Sequence, residues 1–126
     1  MSRQDLDFGK AAENAAAKFL AAQGYKILQR NYKTKFSEID IIAEDKGVLC
    51  FVEVKARHSD MFGGPSEAVS QSKQRQISKA AICYLKESNA FGRLARFDVV
   101  TLLYAQDKPA IDLIKDAFEL NSNFTL

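Results

Sequence analysis

An α/β fold built around a mixed sheet is the class this chain predicts, and three observations predict it. An alanine-rich helical segment comes first, three strand-like runs follow it in succession, and a second helix precedes one or two further strands. With 126 residues and 47% hydrophobic content, the chain suits one globular domain, spanning 1–126, that buries its own core.

Asp5 to Ala22 carries Phe8, Ala12, Ala16, Phe19 and Leu20 at helical spacing, and Gly24 follows as a stop signal. Tyr25 to Tyr32 alternates like a first strand. After the polar stretch Lys33-Thr34-Lys35 come two runs of β-branched and aromatic residues, Glu38 to Ala43 and Val48 to Lys55. Glu44-Asp45-Lys46-Gly47 between them reads as a tight turn. Ala56 to Pro65, with Ser59, Asp60, Gly63 and Gly64, reads as a loop of the kind that lies over a ligand. Ser70 or Ser72 can then cap a helix whose Ile77, Ala80, Ala81, Tyr84 and Leu85 form an apolar stripe, ending near Ser88-Asn89. Arg96 to Tyr104 is a further strand and Ile111 to Ile114 another, across a turn containing Lys108-Pro109.

Two carboxylates and a lysine on neighbouring strands carry the chemistry. If the turn places Ala43 opposite Val48, Glu38 faces Glu53 and Asp40 faces Phe51, and Lys55 shares their side of the sheet by the two-residue period. Asp40 and Glu53 are then diagonal neighbours, roughly 7–8 Å apart, a gap that their side chains can close around one cation. That face also carries Ile42, Leu49 and Phe51. Cys50, Val52, Val54, Ile39 and Ile41 make the other face apolar, so both sides look covered and the buried carboxylates need a partner. Lys55 alone cannot neutralise them all. Hard oxygen ligands suit Mg2+ or Mn2+, and such an ion would neutralise phosphate charge and acidify a bound water in phosphodiester hydrolysis. Asp40 and Glu53 are the candidate ligands, Lys55 the residue at the nucleophilic water, and the Val54 carbonyl a further oxygen. Glu13, on the border of the helix side that should pack on the sheet, is a third candidate ligand; the alternative is a solvated edge glutamate. For the acidic group as a whole the competing reading is a structural ion-pair cluster.

Net charge is only +2, so an anionic ligand must find a local basic patch. Lys73 and Gln76 on the second helix are candidates for contact with a nucleic-acid backbone, or else an ordinary polar helix face. Asp98 reads as a satisfied strand-edge group and His58, the only histidine, as a loop residue. A single histidine excludes multi-histidine metal sites. Tyr25, Tyr32 and Phe62 could stack on bases or serve as core and loop anchors. Cys50 and Cys83 lack metal-ligand spacing and read as small hydrophobes. No apolar run approaches the roughly 20 residues of a membrane span, and the polar start lacks a signal-peptide core, so the expectation is a soluble cytoplasmic protein without a membrane partner.

Gly24-Tyr25, Ile27-Leu28, Arg30-Asn31-Tyr32, Glu38 to Ala43, Phe51 to Arg57, Phe62-Gly63 and Arg96 to Val100 together resemble the YraN-like family of small bacterial proteins. That family looks like a branch of the PD-(D/E)XK nuclease superfamily, which includes restriction endonucleases and archaeal-type Holliday-junction resolvases. The resemblance implies a restriction-endonuclease-like three-layer α/β/α fold with a central mixed sheet. It also implies a Mg-dependent endonuclease acting on structured or branched DNA, with a nucleic-acid-binding protein lacking turnover as the alternative. Asp40 matches the acidic position, Glu53-Val54-Lys55 the (D/E)XK triplet, and Glu13 the glutamate on the first helix of resolvase-like members. Arg57, just past the triplet, joins Lys73 and Gln76 as a candidate DNA contact, and the resolvase likeness implies a homodimer. Ser37 stands where the family usually has glycine, and Ile39 where the superfamily's name has proline.

Overall fold

The computed structural model describes residues 2–58, 69–106 and 108–120. Helix α1 (Arg3–Ala22) begins two residues before the expected start because Ser2 and Asp5 form a capping box. The Ser2 hydroxyl accepts from the Asp5 amide at 3.1 Å, and the Asp5 carboxylate accepts from the Ser2 amide at 3.4 Å. Strands β1 (Lys26–Lys33), β2 (Glu38–Asp45) and β3 (Val48–His58) follow. Ser70 caps α2 (Gln71–Glu87), its hydroxyl accepting from the Lys73 amide. Strands β4 (Ala95–Tyr104) and β5 (Pro109–Phe118) complete the sheet. β3 runs past Lys55 to His58, so the expected loop starts later; its remainder, with Phe62, lies outside the described residues.

The strands lie in the order β1-β2-β3-β4-β5, antiparallel except for the central β3–β4 pair, which is parallel and is bridged by α2. Ala12, Ala16 and Leu20 of α1 pack on Ile41, Ala43, Cys50, Val52, Val100 and Leu102. Ile77, Ala80, Ala81 and Leu85 of α2 pack on Ile42, Leu49, Phe51, Phe97 and Val99. Adjacent residues such as Phe51 and Val52 thus point to opposite helices, which is what a sheet between two helical layers requires. The result is the α/β/α arrangement expected.

The β2–β3 register corrects the expected one. Ala43 pairs with Cys50 and Asp45 with Val48, so the turn is the two residues Lys46-Gly47 rather than four. Both have positive φ, 51° and 84°, as a hairpin turn matched to the strand twist needs. The strands can extend this far because buried Asp45 is paired, receiving hydrogen bonds from Arg96 at 2.7 Å and Lys115 at 3.3 Å. The change is an even number of residues, so the sides on which residues were expected mostly persist. Glu38, expected to face Glu53, instead meets Glu13 of α1, and Ile39 also departs. It joins the α2-side cluster while Ile41 packs under α1, although an undisturbed pleat would put both on one side. The disturbance coincides with Asn31, opposite this point on β1, whose φ of 54° lies in the left-handed region that asparagine tolerates.

Candidate metal and phosphate site

Asp40 lies in β2 next to Ile41, the last residue of the strand paired with β3. Its Oδ2 accepts the Val54 amide at 2.8 Å, which ties β2 to β3 where the ladder ends. Continuing the register one step sets the Asp40 backbone level with Glu53 rather than diagonal to it. Glu13 reaches the same place from α1, one residue after buried Ala12. One carboxylate oxygen from each of Glu13, Glu38 and Asp40 lies within 4.8 Å of the others. Asn31 holds two of them, its side-chain amide donating to Glu13 at 2.7 Å and to Glu38 at 3.0 Å. Arg30 stands 3.7 Å from Glu13 and donates to Asn14 at 2.7 Å.

Glu13 and Asp40 line a cleft of about 330 Å³ between the first half of α1 and the end of the hairpin, where they meet Glu53, Lys55 and Arg57. Glu53 and Lys55 also line a neighbouring cleft of about 310 Å³, with Ser70 and Lys73 at the start of α2. A larger, mostly apolar groove of about 410 Å³ shares no lining residue with the acidic cleft.

Carboxylates crowded away from water resist ionisation. Burial pushes Asp40 up to about 6, with the nearby Glu13 and Glu38 charges adding to the rise and the Val54 hydrogen bond and Lys73 opposing it. Glu53 is pushed further, to about 8, first by burial and then by Asp40, against the pull of Lys73 and Lys55. The fold therefore disfavours the ionised form of both acids, chiefly because it buries them. The donors are all hard oxygens, with no cysteine or histidine in the acidic group, which favours Mg2+ or Mn2+ over softer-site metals. Ligand oxygens on opposite sides of Mg2+ stand about 4 Å apart, so the 4.8 Å spread would close with a small side-chain adjustment. Glu53 stands outside that tight group while lining the same cleft.

Of the sequence candidates, Glu13, Asp40, Glu53, Lys55 and Arg57 meet at the cleft, and Lys73 stands at its neighbour. Gln76, half-buried on α2, lines neither. Asp98 is not at a strand edge: it is fully buried, accepting from Tyr25 at 2.9 Å, Arg96 at 3.0 Å and the Asp116 amide at 2.9 Å. Tyr25 and Tyr32 are core residues. His58 stacks on Phe8 of α1 at 4.3 Å. Cys50 is buried, whereas Cys83 is only half-buried; both are free thiols. Sequence reasoning assigned no role to Asn31 and did not count Glu38 as a ligand. The one available signal for Asn31 was an asparagine, a residue tolerant of the left-handed region, inside an alternating strand.

A mixed five-stranded sheet between two helices, with an aspartate and a Glu-Val-Lys triplet level with each other on adjacent strands, defines a protein of the restriction-endonuclease-like class. More particularly, the chain belongs to the family described as "Uncharacterised protein family UPF0102", whose model matches residues 12–102, a stretch that includes Glu13, Asp40, Glu53, Lys55 and Lys73. A UPF0102 protein of Desulfosudis oleivorans is 46% identical over 121 residues, covering 96% of this chain and 97% of the relative. One from Syntrophus aciditrophicus is 48% identical over 117 residues, covering 93% and 92%. A third, from Myxococcus xanthus, is 41% identical over 113 residues, covering 90% of each.

Proposed function

We propose that this protein is a Mg-dependent endonuclease that hydrolyses phosphodiesters in structured or branched DNA in the cytoplasm. The observation that carries the reading is the convergence of Glu13, Asp40 and Glu53 with Lys55 on one cleft, where burial and mutual repulsion hold Asp40 and Glu53 above the usual carboxylate range. Glu13, Asp40 and Glu53 would hold the ion, with Glu38 within reach of the same position. Bound there, Mg2+ supplies charge neutralisation at the phosphate and a lower pKa for the attacking water.

The chain's own groups do the rest. The Val54 amide fixes the Asp40 carboxylate at 2.8 Å, and Asn31 fixes Glu13 at 2.7 Å, so both acids are oriented before any ligand arrives. The Lys55 ammonium directs the water and donates to the non-bridging oxygen on which charge accumulates. Arg57 and Lys73, flanking the cleft, position the neighbouring phosphates.

Two observations favour a second reading, a nucleic-acid-binding protein without turnover: Asn31 already donates to both Glu13 and Glu38, and Glu53 stands apart from the tight acidic group. A labelled four-way junction incubated with the protein and Mg2+ separates the two. Cleavage that is lost in Asp40→Ala and in Lys55→Ala supports the enzyme; binding without cleavage under Mg2+ and Mn2+ supports the second reading and rejects catalysis.

A further inference from the structure

We infer that the β1–β2 loop and half-buried Lys79 of α2 form a second DNA-backbone contact, in which Phe36 gathers Lys35 and Lys79 into a phosphate clamp that extends the Lys73 side of the acidic cleft. The inference rests on the phosphodiester reading above for the identity of its ligand. It adds three residues, none of them lining the cleft.

The Lys35 ammonium stands 5.3 Å from the centre of the Phe36 ring and the Lys79 ammonium 5.4 Å from the same centre. Two cations from separate elements share one half-buried ring, a contact that partly offsets the repulsion between them. The loop that presents the ring is ordered by its own bonds. The Thr34 hydroxyl accepts from the Phe36 amide at 3.0 Å and from the Ser37 amide at 3.2 Å, and the Thr34 amide donates to the Ser37 carbonyl at 2.9 Å. An anion meeting this pair therefore orders little that is not ordered already.

Placement adds to the border of the cleft. The loop leads directly into Glu38 and Asp40, so it stands at the acidic end of the sheet. On α2, Lys73 beside the cleft and Lys79 are six residues apart, a rise of about 9 Å. They differ by about a third of a turn around the helix, so Lys79 turns to the Phe36 ring while Lys73 stays at the cleft, and the two cations widen the basic border instead of repeating along one line. The whole chain carries a net charge of only +2, so binding must come from local clusters of this kind.

The test measures salt-dependent binding of a fluorescein-labelled four-way junction by anisotropy, in an Asp40→Asn background that does not cut. Adding Lys35→Gln and Lys79→Gln should flatten the slope of log affinity against log salt by about 1.8, at about 0.9 per lost phosphate contact, and weaken binding about tenfold at low salt. Phe36→Leu keeps apolar bulk but not the ring, and should weaken binding by about two- to fivefold with both lysines present. An unchanged slope in the double lysine variant, with unchanged thermal stability, overturns the clamp, as does a parent protein that binds no junction. If the slope falls as stated while the wild type never cuts, the clamp stands and only the catalytic reading is lost.

Discussion

Replacing Glu53 by glutamine removes the carboxylate whose charge the folded protein tolerates least. Its pKa is raised from the ordinary 4.5 to about 8, chiefly by burial and then by Asp40. Because the folded value lies above the unfolded one, ionisation of Glu53 opposes folding. Its contribution to stability is whole below pH 4.5 and is lost as the pH climbs through 8. At about 1.4 kcal/mol per pH unit the ceiling on that loss is about 5 kcal/mol. The repulsion with Asp40 is shared between both groups, and glutamine keeps an amide to be desolvated, so we expect a net gain of about 1–3 kcal/mol for Glu53→Gln. In thermal melts at pH 8 without divalent ions this is a rise in Tm of about 4–12 °C, shrinking toward zero at pH 4.5. Mg2+ should reverse the order: the wild type gains stability by mass action on its acidic group, and the variant gains less. Scanning calorimetry at the two pH values, with and without 10 mM Mg2+ as a roughly saturating concentration, measures all four terms. A variant that melts no higher than wild type at pH 8 in EDTA would refute the claim that the fold opposes ionisation of Glu53.

Two other outcomes follow from particular contacts. Asp98→Ala strips the acceptor from Tyr25, Arg96 and the Asp116 amide in the interior and should cost about 3–5 kcal/mol in urea denaturation; a loss below about 1 kcal/mol would contradict a structural role for this network. Asn31→Gly keeps the left-handed backbone but releases Glu13 and Glu38, so Mg2+ affinity by calorimetric titration should change while stability falls by less than in Asn31→Ala, where the φ of 54° adds about 1 kcal/mol. Equal stability of the two variants would remove the backbone part of that account.

Much of the fold was legible because hydrophobic periodicity is local. The 3.6-residue spacing of Ala12, Ala16 and Leu20 and the alternation through Phe51 and Val52 mark which side of each element must leave water, and those sides became the two core clusters. The spacing that puts Glu53 and Lys55 on one side of β3 lies within a single strand and does not depend on the hairpin register, which came out two residues from the expected one and set the Asp40 backbone level with Glu53. The expected register failed because Lys46 gives no sign that it will adopt positive φ, and because the partner that lets Asp45 be buried, Arg96, lies 51 residues further on.

Sequence by itself determined the alternation of buried and exposed positions, the Ser70 cap of the second helix, and the placing of Glu53 and Lys55 on one side of their strand. Only tertiary structure decided that Glu13, Glu38 and Asp40 stand within 4.8 Å of one another, that Asn31 takes a left-handed φ beside them, and that burial lifts Asp40 and Glu53 out of the usual carboxylate range. The reason is physical: periodicity follows from backbone geometry over a few residues, whereas charge crowding depends on which distant segments exclude water from the same few ångströms.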